Sequence, residues 1–169
     1  MRDSFDDILA ANAEYAEHFA LQGLAAPAAK GLGVLTCIDS RIEPLAMLGL
    51  SAGDAKIFRN AGARVTEDVL RTLALATNLL EVRRIMVVAH TDCAMCGTTD
   101  EQLRAKVLER GGPVLDPALP LLASPDPHVS LRVDLERLRA SGMLAPGVVV
   151  GAFVYDVHTG LLEPVSEQA

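Results

Sequence analysis

Tryptophan is missing from this sequence, and aromatic residues make up only 4% of it. A chain of 169 residues that is still 50% hydrophobic must therefore build its core from Ala, Val, Leu and Ile. Positive charge is also scarce. Fifteen Lys and Arg against 22 Asp and Glu give a formal net charge of -7, which excludes a broad basic field for nucleic acid. Cysteine is limited to Cys37, Cys93 and Cys96, too few for a disulfide scaffold. No apolar run approaches the length of about 18 residues that a membrane span needs. The opening MRDSFDDILA is acidic and polar where a secretory signal needs a basic and then an apolar region. Neither G-x-x-x-x-G-K-[ST] nor G-x-G-x-x-G occurs, so nucleotide binding has no motif to support it. The expectation is one domain spanning 1–169, placed in a reducing, cytoplasmic compartment, with neither nucleic acid nor membrane as a partner.

Short apolar runs alternate with stretches of helical periodicity. Residues 3–21 read as an amphipathic helix carrying Phe5, Ile8, Leu9, Tyr15 and Phe19. Strands are expected at 33–38 and 56–59, with a short helix over 43–49 between them. Thr66 is a plausible cap for a helix running through Leu80. Arg84 to Ala89 is almost wholly apolar, as a central parallel strand covered on both faces should be. A helix over 99–110 ends at Gly111-Gly112-Pro113. The stretch 113–127 holds five prolines and reads as a surface loop; a substrate lid is the weaker reading. A helix over 128–141, a strand from Val148 to Val157 and a last strand over 161–165 complete the chain. Helices between strands imply right-handed crossovers. The fold class is α/β: a mostly parallel central sheet with flanking helices and a short antiparallel C-terminal edge strand.

In such sheets ligands bind beyond the carboxyl ends of the strands. Those ends carry Cys37-Ile38-Asp39-Ser40-Arg41, Asn60-Ala61-Gly62 and His90-Thr91-Asp92-Cys93. Two thiolates and an imidazole suit zinc, leaving a fourth position for water or substrate. A cysteine or histidine taken singly is more often an ordinary part of the fold. It is the joint placement of Cys37, His90 and Cys93 that singles them out. Cys93-x-x-Cys96 also resembles a redox pair at a helix start, but that reading leaves Cys37 and His90 unexplained, and Cys96 reads as a bystander. Alternate residues at a strand end share a side, so Cys37 and Asp39 both reach the metal region, and Arg41 can hold the carboxylate bidentately. The plain alternative for Asp39 and Arg41 is a surface salt bridge. Asp92 reads as a cap for a following helix, and His158 as an exposed turn residue.

Taken together, C-x-D-S-R at Cys37–Arg41, R-N-A-G at Arg59–Gly62, H-T-D-C at His90–Cys93 and the terminal Gly151–Leu161 stretch resemble the β-class carbonic anhydrases, in particular their small prokaryotic subgroup. The resemblance implies one zinc ion per subunit, held by Cys37, His90 and Cys93. It implies a catalytic dyad of Asp39 and Arg41, with Asn60 and Gly62 beside the substrate. It also implies reversible hydration of carbon dioxide to bicarbonate and a proton, with Asp39 orienting a zinc-bound hydroxide. The expected assembly is a homodimer or a dimer of dimers, with residues 1–25 forming a helical arm that packs on the partner. Two departures stand out: Ala28-Ala29-Lys30 replaces a glutamine-bearing segment of the plant-like subgroup, and Ala94 stands where Gly is common. Hydrolysis of carbonyl sulfide or carbon disulfide at the same site is the nearest alternative, followed by a non-catalytic zinc-binding homologue.

Overall fold

The computed structural model describes residues 4–165. Its elements are α1 (Asp6–Glu17), β1 (Leu32–Cys37), α2 (Pro44–Met47), β2 (Ala55–Asn60), a 3-10 turn (Ala61–Ala63), α3 (Glu67–Leu79), β3 (Arg84–His90), α4 (Asp100–Glu109), α5 (Pro127–Ala140), β4 (Val149–Tyr155) and β5 (Leu162–Pro164). The five strands form one sheet in the order β2-β1-β3-β4-β5. The first four are parallel, and β5 runs antiparallel to β4. This is the α/β sheet expected from the sequence, antiparallel edge included.

Alternation along the strands divides the core between two faces. Leu35, Ile85 and Val87 point to one side, where α3 and α5 cover them with Leu70, Leu73, Leu131, Leu135 and Leu138. Val34, Met86 and Val88 point to the other side, against Met47, Leu48 and Leu50 from α2 and its exit. All six residues of β1 are buried, as befits a parallel strand covered on both faces.

Local chemistry fixes the helix starts. The Thr66 hydroxyl accepts from the Val69 N–H at 3.3 Å, and Glu67 and Asp68 occupy the first turn of α3, where acidic groups favour the helix dipole. Asp126 caps α5 at the Val129 N–H, with Pro127 opening the helix. At α4 the structure corrects the expected start at 99. Thr99 is the cap rather than a helical residue, and with Gln102 it forms a reciprocal capping box. At the amino end α1 stops at Glu17, short of residue 21, and residue 3 lies outside the described residues. Nothing on α1 is buried: Ile8, Leu9 and Tyr15 are exposed, as are Phe5 and Phe19 on either side of it.

The chain runs from β1 outward to β2, then crosses back to β3 on the far side of β1. The connections therefore reverse direction at the β1/β3 boundary, and the carboxyl ends of these two neighbours flank the crevice where such folds bind ligands. Cys37 ends β1 and His90 ends β3. The proline-rich 113–127 stretch is an ordered connection tied to this end of the sheet. The Asp100 carboxylate accepts from the Leu121 and Ala123 N–H groups at 2.7 and 2.9 Å. The Ser124 N–H donates to the Met95 carbonyl at 2.9 Å.

Candidate metal centre

Cys37, His90 and Cys93 are buried together, their donor atoms within 4.8 Å of one another. The two sulfurs are 4.0 Å apart. Thiolates on a tetrahedral zinc, at Zn–S distances of about 2.3 Å, stand roughly 3.8 Å from each other, so the pair already has close to the spacing that ion requires. The His90 Nδ1–H donates to the Thr91 carbonyl at 2.7 Å, fixing the tautomer and leaving a lone pair on Nε2. That Nε2 is buried and has no hydrogen-bond partner. A buried orphan nitrogen is costly, and a cation beside it removes the cost. The Cys37 thiol is pushed up to about 11, chiefly by its hydrogen bond with Cys93 and then by burial. Two buried sulfurs this close resist ionising until a cation neutralises them. The donor set, its spacing and its missing charge all fit zinc.

The surrounding backbone is built to present these groups. Gly62, in the left-handed region at φ +78°, directs its N–H to Cys37 Sγ at 3.3 Å. A Cβ at this position would stand 3.2 Å from Met95 Cβ. Arg59 reaches back to the end of β1, donating from Nε to the Cys37 carbonyl at 2.8 Å and from Nη2 to the Asp39 carbonyl at 2.6 Å. The sequence placed Arg59 in a motif without a role. The structure makes it the brace of the ligand strand.

Asp39 lies next to the triad, with Oδ2 3.9 Å from His90 Nε2. Arg41 holds it from three directions: backbone N–H to Oδ1 at 2.9 Å, Nε to Oδ1 at 3.0 Å and Nη2 to Oδ2 at 2.8 Å. The side-chain hydrogen bonds from Arg41, then the backbone one, hold the carboxyl well below the usual carboxylate range. A small cavity of about 160 Å³ opens over these groups, walled otherwise by Ile38, Ala61, Ala94 and Met95. Ala94 thus faces the ligand space. The Asn60 side chain is otherwise engaged: Oδ1 accepts from the Arg64 N–H and Nδ2 donates to the Arg64 carbonyl, both at 2.7 Å, closing the 61–63 turn.

A carbonic anhydrase family model matches residues 32–127. β-Carbonic anhydrase 1 of Mycobacterium tuberculosis is 35% identical over 162 residues, covering 95% of this chain and 97% of that protein. The chain belongs to the β-carbonic anhydrase family. The crystal structure of a Streptococcus mutans carbonic anhydrase superposes with a TM-score of 0.88 at 31% identity, covering 98% of this chain and all of that one. A carbon disulfide hydrolase of Saccharolobus solfataricus is 32% identical over 157 residues, covering 79% of this chain and 76% of its own. Family and triad together make this a zinc-dependent carbonic anhydrase site, with one Cys-His-Cys centre per subunit.

Two expectations around this β-carbonic anhydrase site need correction. No helix follows directly on His90–Cys93: residues 91–98 are turns and a single bridge, and α4 begins at Asp100. Cys93 and Cys96 therefore do not open a helix as a thiol-disulfide motif would. Cys96 is half-buried, its N–H donating to the Cys93 carbonyl at 3.0 Å, and it stays outside the triad. Asp92, for its part, caps nothing. Its carboxylate meets His158 Nε2 at 2.7 Å and its carbonyl accepts from Arg41 Nη2 at 3.3 Å. Nothing local in the sequence pairs residues 92 and 158. No helix among the described residues is long and apolar enough to cross a membrane.

Proposed function

We propose that the substrate is carbon dioxide, hydrated reversibly to bicarbonate and a proton, with Asp39 and Arg41 as the dyad that orients the attack. The observation that carries this reading is the Asp39 carboxylate, 3.9 Å from the orphan Nε2 of His90 and held by three donors from one arginine. A purely structural Cys-His-Cys site has no use for such a group. Zinc, when bound, acidifies a water so that a nucleophile is available near neutral pH. Arg41 supplies the positive charge that keeps Asp39 ionised and therefore acceptor-only. Oδ2, on the cavity side, accepts a hydrogen bond from the attacking group and sets its direction. The Gly62 N–H tempers the charge on Cys37, and Asn60 serves the substrate pocket by holding the turn that carries Ala61 and Gly62. The apolar walls of Ile38, Ala61, Ala94 and Met95 suit a small, uncharged, linear molecule.

The protein works as a homodimer or dimer of dimers, with the arm over 1–25 packed on the partner subunit. Support comes from α1 and its flanks, where Phe5, Ile8, Leu9, Tyr15 and Phe19 are all exposed, an arrangement that marks an interaction surface. The first three residues of that arm lie outside the described residues. Three free thiols fit a reducing cytoplasm.

The test is a side-by-side assay of carbon dioxide, carbonyl sulfide and carbon disulfide on zinc-loaded protein, with Asp39→Asn as control. Carbon dioxide is expected to turn over fastest, and Asp39→Asn to lower kcat/KM by about a hundredfold. Preference for either sulfur compound, or full activity in the variant, would overturn the reading.

A further inference from the structure

We infer that His158, acting through Asp92, is a positioning residue for the Arg41–Asp39 pair. The inference rests on the dyad reading above and extends it to the turn between β4 and β5.

That turn is fastened to the metal-ligand loop. The Thr91 N–H donates to the Tyr155 carbonyl at 3.0 Å, and the Val157 N–H donates to Thr91 Oγ1 at 3.1 Å. The His158 N–H donates to Asp156 Oδ1 at 2.7 Å, which sets the backbone from which its ring projects. His158 Nε2 then lies 2.7 Å from Asp92 Oδ2. An ionised carboxylate can only accept, so Nε2 carries the proton and donates.

Asp92 holds a left-handed backbone at φ +55°, a region that Asp enters more readily than most residues other than Gly. It is held on both sides. Its side chain is anchored outward by His158, and its carbonyl meets Arg41 Nη2 at 3.3 Å. The same Nη2 donates to Asp39 Oδ2 at 2.8 Å. One guanidinium nitrogen is thus shared between the carboxylate it must present and a carbonyl that limits its rotation. Arg41 is long and its side chain is 46% exposed. A second anchor is what keeps such a side chain in one rotamer. His158 supplies that anchor indirectly, by pinning the residue whose carbonyl does the holding.

The experiment compares zinc-loaded wild type, His158→Ala, Arg41→Ala and the double variant by stopped-flow hydration, together with the Arg41 Nε–H resonance in nitrogen-15 spectra. His158 is exposed, so its truncation leaves the fold intact, which thermal melting verifies. We expect His158→Ala to lower kcat/KM by about two- to fivefold, the scale of one exposed hydrogen bond. We expect no further loss when it is added to Arg41→Ala, and faster hydrogen exchange at Arg41 Nε in His158→Ala. A large loss in Arg41→Ala with a silent His158→Ala would overturn this inference alone, as would a His158→Ala loss repeated in full in the double variant. A silent Arg41→Ala would bring down the dyad reading and this inference with it.

Discussion

Asp134→Ala should be among the most damaging single substitutions away from the metal. Asp134 and Arg64 are 3% and 8% exposed and form a two-point contact, Nε to Oδ2 at 2.7 Å and Nη2 to Oδ1 at 3.3 Å. The pair joins α5 to the residue just beyond the Ala61–Ala63 turn, and Arg64 Nη1 also donates to the Leu122 carbonyl at 2.6 Å. A guanidinium does not deprotonate in a protein. Removing Asp134 therefore strands a full charge in the interior, at a cost of about 3–5 kcal/mol. For a chain of this size each kcal/mol corresponds to roughly 2–4 °C, so the melting temperature should fall by about 6–20 °C. Replacing both partners with apolar residues, as in Arg64→Met with Asp134→Leu, removes the stranded charge. The double variant should recover most of the loss, to within about 1–2 kcal/mol of wild type, the remainder reflecting the Leu122 carbonyl. Urea denaturation of wild type, Asp134→Leu, Arg64→Met and the double variant at one fixed concentration gives the cycle directly. A cost below about 1 kcal/mol for Asp134→Ala would refute the reasoning; so would a double variant no better than the single one.

Three further outcomes follow from the same geometry. Gly62→Ala forces a side chain into φ +78° and against Met95; it should cost about 1–3 kcal/mol in thermal unfolding and weaken zinc affinity in a chelator competition, because the N–H on Cys37 Sγ moves. In the metal-free protein the hydrogen bond with Cys93 and then burial push the Cys37 thiol up to about 11, so zinc must displace its proton at neutral pH; apparent zinc affinity should rise about tenfold per pH unit for each proton released between pH 6 and 8, and a flat profile would contradict protonated thiols at the site. Leu73→Ala, at a fully buried position under the sheet, should cost about 2–5 kcal/mol while leaving zinc stoichiometry unchanged, since α3 contributes no ligand.

Elements fixed by patterns along the chain were legible in the sequence, and contacts between distant segments were not. β1 and β3 stood out because a strand covered on both faces is an uninterrupted apolar run. Cys37, His90 and Cys93 stood out because each falls where such a run ends. Element ends drifted where a side chain intervenes: β4 stops at Tyr155 rather than 157 because the Asp156 carboxylate accepts from the His158 N–H and starts the turn. The helix over 3–21 ends early, at Glu17, in a stretch whose described side chains are all exposed. As a loop acid Asp92 reads as a helix cap, but the positive φ at Asp92 and Gly97 folds the next residues into turns instead. The partners that define its setting are 66 residues away at His158 and 51 away at Arg41. The Arg64–Asp134 pair spans 70 residues, and neither residue carries a local pattern that names the other.

The central claim is that Cys37, His90 and Cys93 hold one zinc ion which, with Asp39 beside it, hydrates carbon dioxide. Stopped-flow hydration across pH 6.5–9, on protein whose zinc content has been measured, tests it most directly, with Cys37→Ser run in parallel. The account requires about one zinc per chain, carbon dioxide hydration that rises with pH, and loss of both metal and activity in Cys37→Ser. Zinc-loaded protein that leaves carbon dioxide unhydrated, or a Cys37→Ser variant that keeps its zinc and its full rate, would contradict it.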